Sequence, residues 1–346
     1  MENTSAYSLT RDDWNELLRQ ENQSPHALSY LLDGLYRDRA VWGRHLSNHL
    51  LKTLAERFDL TLPLISQVLE SPDGTVKFQV RFADGLEVET VLIPFHKRYT
   101  VCLSTQVGCL MNCSFCYTGT QGFKRNLSAQ EIVGQYLLAM NWLKGHKKPS
   151  IVFMGQGEPL HNADEVLRAT RIFNDPQLLD LGVRQMTLST VGYLPGFEAL
   201  ARFPQINLAL SLHSPFDEER SRLIPVNQKF PLRAVFERLE DLEILRRKIL
   251  TVEYLMIDGF NLSLAHVDAL TELLRDRRAV VNLIPFNPFP GSDWKRPAPE
   301  KILEFRNMLV AKKLRVTLRA TKGDDILAAC GQLKINKLAR NYESGT

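Results

Sequence analysis

The sequence predicts an α/β fold on a mostly parallel sheet, and three observations point there. At 346 residues the chain is longer than one average domain, which suits one large domain plus a smaller one. From residue 99 onward, short apolar runs alternate with segments of helical period. Polar residues and glycines also gather where those runs end, as they do at the strand C-termini of parallel α/β folds. An open doubly wound sheet and a full or partial barrel both satisfy this pattern.

The elements follow in order. Thr10 with Asp13 makes a capping-box start for "RDDWNELLRQ", and Ser24-Pro25 suits the start of "HALSYLLDGLYRDR". "HLSNHLLKTLAERF" keeps apolar residues at helical spacing, so residues 1–72 are expected to form a helical accessory domain. The period then changes to two. "GTVKFQVRF", a turn at Asp84-Gly85 and "LEVETVLIP" predict a β-hairpin linker over residues 73–95. The main domain is expected over 96–333, with strands at "YTVCLST", "SIVFMG", "RQMTLST", "NLALSLH", "TVEYLMI", "VVNLIPF" and "RVTLRAT". Its clearest helix runs from Ser128 to Leu143, opened by a Ser128–Glu131 capping box, and "APEKILEFRNMLVAKKL" predicts another. Residues 334–346 read as a basic tail.

Composition is that of an ordinary globular protein, with 44% hydrophobic and 24% charged residues. Nothing approaches 18 consecutive apolar residues, and the start lacks a basic segment followed by an apolar run. The expectation is a cytoplasmic protein with no membrane partner, and nothing demands more than a monomer. In that compartment clustered cysteines more often hold metal or do chemistry than form structural disulfides. The net charge of +4 is modest, but basic residues come in groups: His96-Lys97-Arg98, Lys124-Arg125, Lys147-Lys148, Arg246-Arg247-Lys248 and Lys312-Lys313. Such groups permit contacts with nucleic-acid phosphates without selecting them over solvated helix ends.

Three of only five cysteines lie in "GCLMNCSFCYTGTQGF", as Cys109, Cys113 and Cys116. A structural zinc site normally takes four protein ligands, and a ferredoxin-type carrier closes its cluster with a fourth cysteine. A [4Fe–4S] cubane on three thiolates leaves one iron open to an outside molecule. The remaining strand ends carry Gly157-Glu158-Pro159, Ser189, Ser211 and His213, and Asn287.

C-x3-C-x2-C after the first strand of such a fold resembles the radical S-adenosylmethionine (SAM) superfamily. Phe115 matches its usual aromatic, and "MGQGEPL" matches its SAM-binding GGE-type motif. "CLSTQVGCLMNCSFCYTGTQGFKRNLSAQEIVGQ", "GEPLHN", "LALSLHSPFDEERSRLIPVN", "NLIPFNPFPG" and "TKGDDILAACGQL" further resemble the RlmN/Cfr family of RNA adenosine methyltransferases. The likeness runs from about Glu87 to Leu333. Pro159 and the Asp324-Asp325 pair are similar to the RlmN branch, whereas Gln156 stands where Met is common and "STVG" replaces "STSG".

This resemblance implies a partial (βα)6-type barrel, one [4Fe–4S] cluster on Cys109, Cys113 and Cys116, and two SAM molecules per turnover. It implies SAM contacts at Gly157, Glu158, Ser189, Ser211, Leu212, His213 and Asn287. The substrates it implies are an adenosine of 23S rRNA at the peptidyl-transferase centre and the adenosine 3′ of the anticodon in certain tRNAs. A reductase would supply electrons. The target, C2 of adenine, is electron-poor and does not attack a methyl sulfonium. The family route therefore first methylates a cysteine, matched by Cys330, and turns the S-methyl group into a radical that adds to C2. Glu89 matches the proton acceptor. Cys102 matches the resolving thiol, which frees the RNA through a transient disulfide with Cys330. C8 methylation would use the same residues.

Each residue also has a plainer reading. Cys102 in an apolar strand and Cys330 after "ILAA" fit buried small hydrophobes. Glu89 shares a strand face with Val91 and Ile93, either at a solvated edge or buried with a raised pKa. His213 fits a satisfied core histidine. A cluster-bearing electron carrier or RNA-binding scaffold without SAM chemistry is the reading from another class. For RNA contact, Lys124, Arg125 and the helical N-terminal segment are the candidates.

Overall fold

The computed structural model describes residues 4–37, 41–96, 98–144, 148–242 and 248–335. Lys97, Lys147, Arg246, Arg247 and the tail beyond residue 335 lie outside the described residues. The N-terminal segment carries α1 (Arg11–Gln20), α2 (Ala27–Tyr36), α3 (Trp42–His45) and α4 (Asn48–Arg57). Thr10 and Asp13 form the expected capping box. Helix α2 begins later than Ser24-Pro25 suggests: Ser24 accepts from the backbone of His26 and Ala27, making a turn before the helix.

Helical structure ends at Arg57, and residues 64–70 are extended rather than part of a helical segment reaching residue 72. The hairpin thus has a third member. Strands Leu64–Glu70 (β1), Val76–Arg81 (β2) and Glu87–Phe95 (β3) form an antiparallel meander, with Gly85 at φ +78° in the β2–β3 turn. β3 then pairs antiparallel with β4 (Arg98–Cys102), the first strand of the parallel array. The meander is therefore an extension of the main sheet.

Beyond β4 the sheet continues in parallel through β5 (Ser150–Phe153), β6 (Met186–Thr190), β7 (Asn207–Ser211), β8 (Leu250–Met256), β9 (Ala279–Pro285) and β10 (Val316–Leu318). Among the described residues the last strand has a partner on one side only, so the sheet there is an open arc rather than a closed barrel. Helices Ala129–Trp142, Ala163–Asn174, Leu232–Glu240, Leu264–Leu274 and Pro299–Ala311 lie between the strands. The Ser128–Glu131 capping box opens the first of them. Phe153, Leu188, Leu210, Val252 and Leu283 are almost fully buried, each contributing about 1.5–3 kcal/mol. That core is continuous with Trp14, Leu31 and Leu50 of the N-terminal helices, so the helical segment packs onto the α/β part.

Candidate active site

One cavity lies at the C-terminal ends of the parallel strands. It is lined from β5 round to β10, by Phe153, Ser189, Ser211, Glu253, Ile284 and Arg319 among others, together with all three clustered cysteines. A two-stranded ribbon, Gln106–Gly108 against Phe123–Asn126, closes the base of the cysteine loop. Gly108 (φ +76°) is required there, because a Cβ would stand 1.7 Å from the Gly122 carbonyl oxygen. Inside the loop Cys116 N–H donates to the Cys113 carbonyl at 3.1 Å, and Ser114 N–H donates to Leu223. Burial pushes the Cys109 thiol up to about 12 and raises Cys113 and Cys116, the neighbouring thiols adding to it. Cys113 is buried and the other two are partly buried, and thiols kept protonated by desolvation are a donor set that ionises on binding a cation. Among the described residues no three His, Cys, Asp or Glu side chains close on one point as a single metal ion requires. The three cysteines line one cavity.

Opposite them, Gly157 holds φ +102°, and a Cβ there would meet the Gln106 side chain at 2.6 Å. The next residue, Glu158, is buried. Its carboxylate accepts from Leu160 N–H and Val191 N–H, both at 3.0 Å, which ties the ends of β5 and β6 together. Burial pushes its pKa up to about 7. Ser189, next to last in β6, and Ser211, last in β7, line the cavity. His213 Nδ1 accepts from Leu255 N–H at 3.1 Å, so the neutral ring carries its proton on Nε2. Burial, aided by Arg220, pulls its pKa down to about 3. Phe115 meets the His213 ring edge-on at 4.6 Å.

A second cavity adjoins the first. Cys102, Asn287, Arg319 and Leu333 line it, and Cys330 lines both. All five cysteines are free thiols. The segment carrying Cys330 is stitched down along its length. Asn287 donates to the Cys330 carbonyl at 3.2 Å, Tyr117 N–H to Gly331 at 2.6 Å, and Thr118 to Leu333 at 2.6 Å. Ser71 donates to Asp325 at 2.7 Å. Burial, then the nearby Cys330, pushes the Cys102 thiol up to about 12.

Not every expected residue reaches a cavity. Leu212 turns into the main core, with its carbonyl held by Arg220. Gln156 is fully buried and accepts from Glu89 N–H at 3.1 Å, so the Gln-for-Met difference does not face the cavity. Glu89 lines neither cavity. It is buried on β3, with Lys77 Nζ at 2.9 Å from one oxygen and Lys334 N–H at 2.7 Å from the other. Arg125 is engaged within the protein, on Asp84 and bidentately on Glu131, which leaves Lys124 of that pair facing a polar surface groove.

Sequence reasoning missed four charged residues, among them Glu253, buried in the wall of the first cavity. Lys77 lies on the polar face of an alternating strand and reads as solvated, yet the Cys330 segment covers it. Arg319 sits in the wall shared by both cavities. Arg220 is fully buried and donates to the carbonyls of Val191, Ser211 and Leu212, pinning the ends of β6 and β7. Its signal was a charge within the motif "DEERSRLIPVN".

Comparison with known proteins follows the same lines. Residues 103–273 match the Radical SAM superfamily. The chain is 45% identical over 289 residues to "Dual-specificity RNA methyltransferase RlmN" of Syntrophus aciditrophicus, covering 83% of each chain. It is 42% identical over 307 residues to the protein of that name in Lawsonia intracellularis, covering 86% of each. A solved radical SAM methyltransferase from Sphaerobacter thermophilus superposes with a TM-score of 0.89 at 36% identity, covering 96% of this chain and 99% of the other.

Proposed function

The chain belongs to the RlmN family of the radical SAM superfamily, and from that premise we propose that it methylates C2 of an adenosine in 23S rRNA and of the adenosine 3′ of the anticodon in certain tRNAs. The observation that carries this reading is the position of Cys330, which lines both the cavity of the three clustered cysteines and the cavity of Cys102. A methyl carrier must meet SAM on one side and a resolving thiol on the other.

Cys109, Cys113 and Cys116 would hold a [4Fe–4S] cluster, and the three-thiolate set leaves one iron for SAM. When bound there, the cluster supplies the electron that cleaves SAM to a 5′-deoxyadenosyl radical. Glu158 offers its carboxylate to the SAM amino group, with the backbone at Gly157 alongside. Ser189, Ser211 and the Nε2–H of His213 face the same space as hydrogen-bond partners. Asn287, which holds the Cys330 backbone from the second cavity, is a further proposed SAM contact.

Cys330 first takes a methyl group from one SAM. After loss of one hydrogen atom from that methyl group the methylene radical on its sulfur adds to adenine C2, and the unpaired electron of the adduct would pass to the oxidised cluster that Cys109, Cys113 and Cys116 would hold. Glu89 then accepts the C2 proton, and the Cys102 thiolate attacks the Cys330 sulfur; the S–C bond breaks, its electron pair stays on the methylene carbon, and that carbon takes a proton to become the methyl group as the Cys102–Cys330 disulfide forms. Two SAM molecules serve each turnover, and an external reductase resets the protein. The cavities open at the strand ends, so a target base must be extruded to enter.

Mass mapping of RNA from a deletion strain tests the reaction. Loss of 2-methyladenosine from 23S rRNA and tRNA, with recovery on complementation, is the expected result. Persistence of 2-methyladenosine contradicts it, and loss of an 8-methyladenosine instead would move the reaction to C8.

A further inference from the structure

Lys77 is a lysine where lysine is rarely found: within a strand, about 6% exposed, in contact with a carboxylate that is 5% exposed. In the β2–β3 register Lys77 stands opposite Val91 and Gln79 opposite Glu89, so Lys77 and Glu89 are diagonal neighbours on one face. The ammonium makes two contacts, to Glu89 Oε1 at 2.9 Å and to the Leu327 carbonyl at 3.1 Å. Leu327 lies three residues before Cys330 and holds a left-handed backbone, φ +51°, which a leucine adopts only when its surroundings impose it. The second Glu89 oxygen accepts from Lys334 N–H, four residues after Cys330. The Cys330 segment is therefore gripped on both sides by one buried ion pair.

We propose that Lys77 is a positioning residue that holds the Glu89 carboxylate in place and clasps the Cys330 segment through Leu327, so that proton acceptor and methyl carrier are set as one unit. This rests on the proposed function, in which Glu89 takes the C2 proton. A buried ion pair is a poor device for stability alone, since its desolvation offsets much of the attraction. Here it joins two groups that must act on the same covalent adduct.

Electrostatics gives the clasp a pH signature. Burial raises the Glu89 pKa, while Lys77 and the Lys334 N–H pull it back down. Lys77 from β2 and the Lys334 N–H from the Cys330 segment are the groups that face the carboxylate; Gln156, behind it, takes the Glu89 backbone N–H. Glu89 accepts a proton only when ionised, so breakdown of the adduct rises with pH through its pKa. Removing the Lys77 cation moves that rise to higher pH.

The test uses full-length holoenzyme with its cluster reconstituted anaerobically, as wild type, K77R and K77M, with K77Q in place of K77M should the latter fail to bind iron. Hydrogen exchange of amides 326–334 reads the clasp. The pH dependence of breakdown of the protein–RNA adduct, formed on a 23S rRNA fragment, reads the acceptor. Loss of the cation is expected to speed exchange on the order of tenfold and to move the acid limb up by about one pH unit, with K77R close to wild type in both. Unchanged exchange overturns the proposal. Faster exchange with an unmoved limb also overturns it, because Lys77 would then be a brace for the segment only. A wild-type enzyme that forms no adduct is a separate failure, that of the proposed function itself.

Discussion

Asn287 donates its side-chain amide to the carbonyl of Cys330 across 3.2 Å, while its oxygen accepts from Thr321 at 3.3 Å. This places the Cys330 backbone between strand ends β9 and β10, where the residue lines both cavities. Asn287→Ala removes the bond and is expected to slow methyl transfer from SAM to the protein by about tenfold, the effect of losing one positioning hydrogen bond. Single-turnover incorporation of labelled methyl into the protein checks this. An unchanged rate would mean that the other bonds along the segment set its position unaided.

Cys102→Ala leaves Cys330, the proposed methyl carrier, intact and removes the proposed resolving thiol. The expected outcome is a stable protein–RNA adduct, seen as a shifted band on a denaturing gel, with multiple-turnover product falling by more than about a hundredfold. Normal turnover in this variant would remove Cys102 from the reaction.

Glu158, with its pKa pushed up to about 7 by burial, is partly protonated near neutral pH. The SAM amino group is a cation and favours the carboxylate, so SAM affinity is expected to rise between about pH 6 and pH 8, with proton release on binding. Glu158→Gln should bind SAM more weakly and flatten that rise. Calorimetry in buffers of different ionisation enthalpy measures both.

His213 gives the opposite lever on stability. Its folded pKa, down at about 3, lies below the unfolded value near 6.5. The unfolded chain therefore binds the extra proton between these values, and its contribution to stability is full above about pH 6.5 and is lost as pH falls toward 3. The slope approaches about 1.4 kcal/mol per pH unit for one proton. Urea unfolding from pH 7 to pH 5 should show a shallower decline in His213→Asn than in the wild type.

Gly108→Ala tests the cysteine loop. Its Cβ would overlap a backbone carbonyl at 1.7 Å, and the φ of +76° is itself unfavourable for alanine. The ribbon must shift, at a cost of about 2 kcal/mol or more, and iron content per chain should fall well below wild type. Gly85→Ala, also at positive φ but with open space around it, should keep its iron.

Much of the architecture was legible because buried strands announce themselves as apolar runs: all seven predicted parallel strands are present, and both capping boxes formed at the residues that signal them. Residues 64–70 were not, since "LISQVLE" is short, mixed in polarity and adjoins helices; only pairing with β2 makes it a strand. Strand-end polarity brought Ser189, Ser211 and His213 to one cavity, because position along a parallel strand fixes where a side chain ends up. Period-two alternation could not reveal that the polar face of β2 is roofed by a segment some 250 residues later in the sequence, the separation of Lys77 and Leu327. Leu212 shows the converse, a residue inside a motif whose side chain serves the core.

The most direct measurement is the location of the methyl group. Reduced, cluster-loaded enzyme incubated with SAM and digested for peptide mass analysis should carry a single methyl on the Cys330 sulfur and none on Cys102. Methyl on Cys102, or an unmethylated Cys330 in enzyme that still methylates RNA, would contradict the placement of Cys330 as the thiol shared between the two cavities.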